Sequence, residues 1–293
     1  MRIVTRPDFD GVVCAALLMD ALSVEPPIVW VQPSDMQHRR VDIQKGDVIA
    51  NLPYHENCDL WFDHHYSNRP AEKVAGAFKI APSAAGIVYE YYRNRLDRDY
   101  SELIRQTDRI DSADLTVDEI LRPENYPYVL LSMTITSRDP SESTYWEHLV
   151  ALLRNRSIEE IMNDPAVQNR SRQVAADNIA YEKALRKNTR LVEHVSITDF
   201  RDFDPAPDGN RFLVYSLFPD CTVNVKILYD EKLASIKVGH SILNRGCRVN
   251  VGAMLSSFSG GGHPGAGACR FPREKAADYL ERIVDILLKN DPA

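Results

Sequence analysis

The chain has 293 residues, 44% of them hydrophobic, a length that favours two domains, each with a core of its own. Its formal charge of −7 argues against capture of long duplex nucleic acid, because nonspecific affinity comes mainly from Lys and Arg neutralising phosphates. A small anionic substrate stays compatible with that charge.

Taken in chain order, residues 2–5 predict a strand that runs into Arg6-Pro7-Asp8-Phe9-Asp10-Gly11, after which residues 12–22 read as a compact apolar helix. Residues 28–31, 47–50 and 60–62 repeat the pattern of strand then turn, the last of them ending at Asp63-His64-His65. In an open parallel sheet the loops at the carboxyl ends of the strands form the ligand crevice. Asp8, Asp10, Asn51, Asp63 and His64 are therefore expected to converge there. Carboxylates and imidazoles gathered at such a point suit a hard or borderline divalent cation, Mn²⁺ or Mg²⁺.

At these residues the chain resembles the DHH phosphoesterase superfamily, which includes RecJ-type nucleases, oligoribonucleases, cyclic-dinucleotide phosphodiesterases, family II pyrophosphatases and exopolyphosphatase-related proteins. Ser259-Gly260-Gly261-Gly262-His263-Pro264-Gly265-Ala266-Gly267 resembles the glycine loop of the accompanying DHHA1 domain. The motifs Arg-x-Asp-Phe-Asp-Gly, Asn-Leu-Pro and Trp-Phe-Asp-His-His look most like the exopolyphosphatase-related proteins. The resemblance implies an α/β protein of two domains, a parallel-sheet DHH domain over residues 1–187 with a helical linker at its end, and a smaller α/β DHHA1 domain over residues 188–293. It further implies a cleft between them, with the catalytic motifs facing the glycine loop.

Residues 83–96 and 100–109 read as helices. The resemblance implies a further metal-binding aspartate near the end of the second, with Asp111 the choice and Asp108 the fallback. Residues 145–187 are helical in pattern, broken near Asp164-Pro165. The basic residues Arg170, Arg172, Lys183, Arg186, Lys187 and Arg190 fit either a solvated linker helix or a basic wall between the domains. Strands are expected at 191–197, 212–218, 223–229 and 235–238, a helix at 250–258, a strand at 268–271 and an amphipathic helix at 273–289. The acidic run Asp199, Asp202, Asp204 and Asp208 lacks EF-hand spacing and reads as a solvated turn.

Glycines let backbone N–H groups approach phosphate oxygens. That makes Gly260, Gly261 and Gly262, with His263 donating beside them, substrate-binding candidates against the plainer reading of a tight turn. His240 stands where related domains place an arginine, so contacts made by that arginine are not expected. In the catalytic half, Arg6 stands where the superfamily has a His or Asp, and a longer spacing would bring Val4 there instead. Asn51 stands where it has an aspartate.

By resemblance the metal ligands are Asp10, Asp63, His64 and Asp111; the departures at Arg6 and Asn51 both fall on one of the two ions the superfamily holds, so one ion in place of two is the expectation they raise. Arg6 is expected to hold phosphate, His65 to orient it, Asp8 to serve as ligand or base, and Asn51 to contact substrate. Two function classes follow. One is a metal-dependent hydrolase of a short phosphate-containing substrate or oligonucleotide. The other is a weakly active or non-catalytic phosphate-binding protein.

Five cysteines with no CxxC pair predict reduced thiols in a cytoplasm. No apolar run approaches the roughly 18 residues of a membrane-spanning helix, and the N-terminus enters a strand directly, so a soluble, unprocessed protein without a membrane partner is expected. A homodimer is compatible with this reading.

Overall fold

Strand β1 (Ile3–Thr5) is buried along its whole length, as a strand covered on both faces of a parallel sheet must be. In the computed structural model, which describes residues 1–135, 139–230 and 232–292, it leads into α1 (Phe9–Leu22), β2 (Ile28–Trp30), α2 (Pro33–Gln37), β3 (Val48–Ala50), β4 (Leu60–Asp63) and β5 (Gly76–Phe78). Helices α3 (Ala84–Tyr92), α4 (Ser101–Asp111), α5 (Val117–Leu121), α6 (Pro127–Met133), α7 (Ser143–Asn155), α8 (Ile158–Met162) and α9 (Pro165–Asn188) follow. Met1–Asp114 and Pro123–Arg172 make up one compact unit, while Leu115–Arg122 and the chain from Gln173 onward make up a second.

The first unit holds a parallel sheet in the order β2-β1-β3-β4-β5. Alternation divides its side chains between two cores. Ile3, Val48, Ala50 and Phe62 pack with α1, α3 and α7, whereas Val4, Ile49 and Trp61 pack with Val31, Met36, Ile43 and Leu52. Helix α1 is apolar around most of its circumference, and it is buried accordingly. The strand order reverses between β1 and β3, and such a switch point is where doubly wound sheets open a crevice.

Several boundaries differ from expectation. Helix α1 starts at Phe9, so Asp8 is its N-cap and Asp10 and Gly11 lie in its first turn instead of in a preceding loop. Strand β5 and the one-turn α2 were not foreseen, because Gly-Ala-Phe and a single helical turn are too short for periodicity to mark. The helical stretch breaks at Asp164-Pro165 as expected and also at Ser157, whose side chain forms a capping box with Glu160.

The second unit carries β6 (Thr189–Val192), β7 (Val195–Phe200), α10 (Leu213–Leu217), β8 (Val223–Asp230), β9 (Leu233–His240), α11 (Val251–Ser256), β10 (Gly260–His263), β11 (Ala266–Pro272) and α12 (Ala276–Lys289). Its sheet runs β10-β11-β9-β8-β7-β6, with only β7 and β8 parallel. The single strand expected at 191–197 is a hairpin, turned at Glu193 with φ 51°. The strand expected at 212–218 is helix α10 instead. Its start is held by Asn210 Oδ1, which accepts from Phe212 N at 3.0 Å. Leu213, Val214 and Tyr215 enter a core with Ile120, Tyr181 and Phe200, a case in which an apolar run interrupted only by Ser216 leaves helix and strand undecided.

The mixed α/β class with a leading parallel sheet is thus what the structure shows. All five cysteines are free, and no helix among the described residues is long and apolar enough to cross a membrane.

Gly11 decides how closely the loop after β1 lies on α1, since a Cβ there would stand 1.9 Å from the Arg6 carbonyl oxygen and 2.9 Å from Thr5 Oγ1. Gly11→Ala should therefore cost about 1–3 kcal/mol of stability through overpacking, read as a lower urea midpoint with an unchanged m-value. An unaltered midpoint would show that the loop yields freely.

Candidate active site

Connections leaving β1, β3 and β4 carry their polar side chains to the carboxyl edge of the sheet. Asp8 caps α1 through Oδ1, which accepts from Gly11 N at 2.9 Å. The same oxygen accepts from Asn51 Nδ2 at 3.0 Å. Asp8 Oδ2 lies 3.0 Å from Arg6 Nε. That contact is an ion pair without hydrogen-bond alignment, since Arg6 Nε is buried with no hydrogen-bond partner, and Asn51 Oδ1 is likewise buried and unpartnered. Asn51 itself has φ 57°, in the left-handed region that Asn tolerates better than most residues.

Asp10, in the first turn of α1, is buried on the N-terminus of α3. Its Oδ2 accepts from Ala84 N at 2.9 Å and its Oδ1 from Ala85 N at 2.8 Å. Carboxylates are favoured there by the exposed N–H groups and the helix dipole.

His64 leaves the end of β4 and places Nδ1 3.0 Å from the Ala81 carbonyl oxygen. A carbonyl only accepts, so Nδ1 carries the hydrogen and, in the neutral ring, Nε2 is a bare lone pair. Nε2 is buried without a hydrogen-bond partner, 3.7 Å from Asp10 Oδ2 and 3.4 Å from Asp111 Oδ2. One ligand atom from each of Asp10, His64 and Asp111 lies within 4.8 Å of the others. An acceptor nitrogen facing two carboxylates is unfavourable unless a proton or a cation sits among them. The donor set, with the imidazole fixed by a backbone carbonyl, fits a divalent metal.

Asp63 is fully buried and already occupied on both oxygens. Oδ1 lies 2.8 Å from His65 Nδ1, and Oδ2 accepts from Asn68 Nδ2 at 2.6 Å. With His64 and His65, Asp63 forms the second group whose ligand atoms lie within 4.8 Å of one another, and each carboxylate oxygen keeps a further lone pair. Asn68 escaped the sequence reading; its signal is a polar residue three places after the histidine pair, returned to Asp63 by a 3-10 turn at Tyr66–Asn68.

The choice between the two later aspartates resolves geometrically. Asp108 accepts from Ser83 Oγ, the N-cap of α3, at 2.5 Å, whereas Asp111 at the end of α4 faces His64.

Burial raises the Asp10 carboxyl well above the ordinary value, with the Asp8 charge adding to the shift and the bonds from Ala84 and Ala85 opposing it. Burial and the charges of Asp10 and Asp8 raise Asp111 likewise. At His65, burial alone would lower the imidazole pKa, but the hydrogen bond and charge of Asp63 outweigh it and raise it, against the opposing charge of Arg6.

Gly260, Gly261, Gly262, His263 and His240 belong to the second unit and form a different arrangement from the expected loop. The three glycines and His263 are strand β10, paired with β11. Gly262 has φ +152°, and a Cβ on Gly252 of α11 would stand 2.3 Å from its carbonyl oxygen. Close packing thus explains part of the motif. A Cβ at Gly261 would meet nothing within 4 Å, and His263 is exposed. His240 lies with Nε2 3.0 Å from the Val249 carbonyl oxygen, and its backbone N–H donates to Gly265 O, so it steadies the β10–β11 turn. Among the basic residues near α9, Arg170 pairs with Glu142 and Arg186 with Glu182.

A doubly wound sheet with aspartates and histidines at its switch point is the fold of the DHH phosphoesterases that the chain resembles. It is similar to the pGpG-specific phosphodiesterase PggH from Vibrio cholerae, with 29% identity over 99% of both chains and a TM-score of 0.85. The manganese complex of RecJ from Thermus thermophilus shares the fold at 14% identity and TM-score 0.59, over 98% of this chain and 52% of that one. An exopolyphosphatase-related protein from Bacteroides fragilis does so at 12% identity and TM-score 0.57, over 97% and 91% of the two chains. No protein-family model and no curated protein matches the sequence.

The raised Asp111 carboxyl has a measurable consequence in metal-free protein. A folded pKa above the unfolded one means that the native state keeps a proton that the unfolded chain has lost, so this group's contribution to stability falls as pH climbs from about 4 toward its raised pKa. Asp111→Asn removes that loss. In the presence of chelator the variant should equal the wild type at pH 4 and exceed it by about 2–4 °C in Tm near pH 7. A Tm difference independent of pH would contradict the assigned environment.

Proposed function

We propose that the chain is a divalent-metal-dependent phosphohydrolase that cleaves a phosphodiester in a short nucleotide, a linear dinucleotide such as pGpG being the first candidate. The observation that carries the reading is the bare, buried His64 Nε2 facing Asp10 and Asp111. Likeness to a pGpG-specific phosphodiesterase over 99% of both chains supports the substrate class.

A Mn²⁺ or Mg²⁺ ion held by Asp10, His64 and Asp111, with Asp63 beside them, would polarise a phosphoryl oxygen and activate water. The remaining tasks fall to side chains. His65, fixed through Nδ1 by Asp63, which Asn68 holds in turn, leaves Nε2 to donate to a phosphate oxygen. Arg6, with 34% of its side chain exposed, offers guanidinium N–H groups to the same anion. Asp8, whose oxygens face Gly11, Asn51 and Arg6, serves as base. Gly261, His263 and the turn steadied by His240 supply substrate contacts, with Gly260 and Gly262 shaping the strand. Residence in the cytoplasm, favoured by the free thiols, and a homodimer belong to the same reading.

A second reading, a weakly active or non-catalytic phosphate-binding protein, is favoured by the Arg6–Asp8 ion pair, which neutralises a carboxylate at the centre of the site.

A Mn²⁺-supplemented screen of pGpG, a short oligoribonucleotide, a cyclic dinucleotide and inorganic polyphosphate separates the two. Turnover of pGpG that vanishes in Asp63→Ala is expected. Asn68→Ala, which loosens the Asp63–His65 pair from outside, should lower kcat about 10–100-fold with little change in Tm. Absence of turnover on all four substrates would hand the case to the binding protein.

A further inference from the structure

We infer that Arg6 and Asn51 form a cation-independent seat for a phosphate oxygen, so that the centre works with a single divalent ion at Asp10, His64 and Asp111. The inference rests on the hydrolase reading only in taking that cluster as the ion's place.

Three buried polar atoms in this region have no hydrogen-bond partner: Arg6 Nε, Asn51 Oδ1 and His64 Nε2. They differ in chemistry. His64 Nε2 is a lone pair aimed at carboxylates and asks for a cation. Arg6 Nε is a donor and Asn51 Oδ1 an acceptor, and together they suit an anion that brings or holds a hydroxyl or water.

Asp8, which links them, is poorly placed to hold an ion of its own. Its Oδ1 already takes Gly11 N and Asn51 Nδ2, and its Oδ2 faces the guanidinium. Any ion there would meet a fixed positive charge that does not deprotonate in proteins. Among the described residues, the two groups able to gather around a metal are Asp10–His64–Asp111 and Asp63–His64–His65, and Asp8 is in neither.

Backbone conformation accounts for part of Asn51, since φ 57° favours Asn. It does not account for the amide orientation. Asp8, an acceptor, draws the Asn51 NH₂ group toward itself, which turns the amide oxygen away as a free acceptor. Arg6, partly exposed, is paired with the same Asp8 carboxylate that orients this amide. The guanidinium supplies the positive charge that a second ion would otherwise bring, and its planar fork grips a phosphate in two places.

Calorimetry on the full chain tests this. Wild type should bind one Mn²⁺ per chain, and metal-free protein should bind inorganic pyrophosphate. Arg6→Ala should keep the single Mn²⁺ isotherm, which also reports that the variant is folded, while pyrophosphate affinity falls about tenfold or more. Arg6→His combined with Asn51→Asp places an imidazole and a second carboxylate around Asp8, and it should convert one Mn²⁺ site into two. Two ions bound by wild type, or pyrophosphate affinity unaffected by Arg6→Ala, would overturn the inference, as would a single-site isotherm in the double variant. Failure of all four substrates in the screen, with one ion and Arg6-dependent pyrophosphate binding retained, would sink the hydrolase and leave this inference standing.

Discussion

One buried carboxylate holds the first unit's candidate site together. Asp10 comes from α1 and accepts the first free N–H groups of α3, tying the helix after β1 to the helix after β5. Ser83 and Asp108 then lock the same helix end from the other side, and α4, which carries Asp108, also carries Asp111 to His64. A neutral side chain at Asp10 could not accept both N–H groups and still face the imidazole. Structural and chemical demands thus meet on a single residue. Buried acceptors of this kind are expensive to leave unmade and strongly orienting when made.

Much of this was legible in the sequence because strand ends announce themselves. Short apolar runs each followed by a polar turn imply parallel strands whose loops share an edge, and Asp8, Asp10, Asn51, Asp63 and His64 do meet there. What stayed hidden is direction. Nothing in the pattern says that Asp63 spends its oxygens on His65 and Asn68, or that Asp108 turns toward Ser83 while Asp111 turns toward His64. Such differences depend on which neighbour arrives from a distant segment, and periodicity carries no record of that.

The second half was less legible for a different reason. Residues 212–218 are apolar without alternation, and only the surrounding core, with Ile120 contributed from α5, makes them helical. The glycine motif suggested a phosphate loop, yet four of its residues, Gly260–His263, build a strand, and the α11 backbone packs directly against it. Glycine marks close approach, but the approaching group is as often the protein's own backbone as a ligand.

The tautomer of His64 is held by the Ala81 carbonyl, and that oxygen is main chain. No substitution at position 81 deletes it, so a side-chain scan would pass over the group that keeps Nε2 bare. Pro82 follows directly; it confines Ala81 to extended geometry and brings no N–H of its own. The protonation pattern of the imidazole is therefore written into the fold instead of into a partner residue. Drift in the neighbouring side chains leaves it intact, and only a change in the path of the backbone between β5 and α3 would erase it.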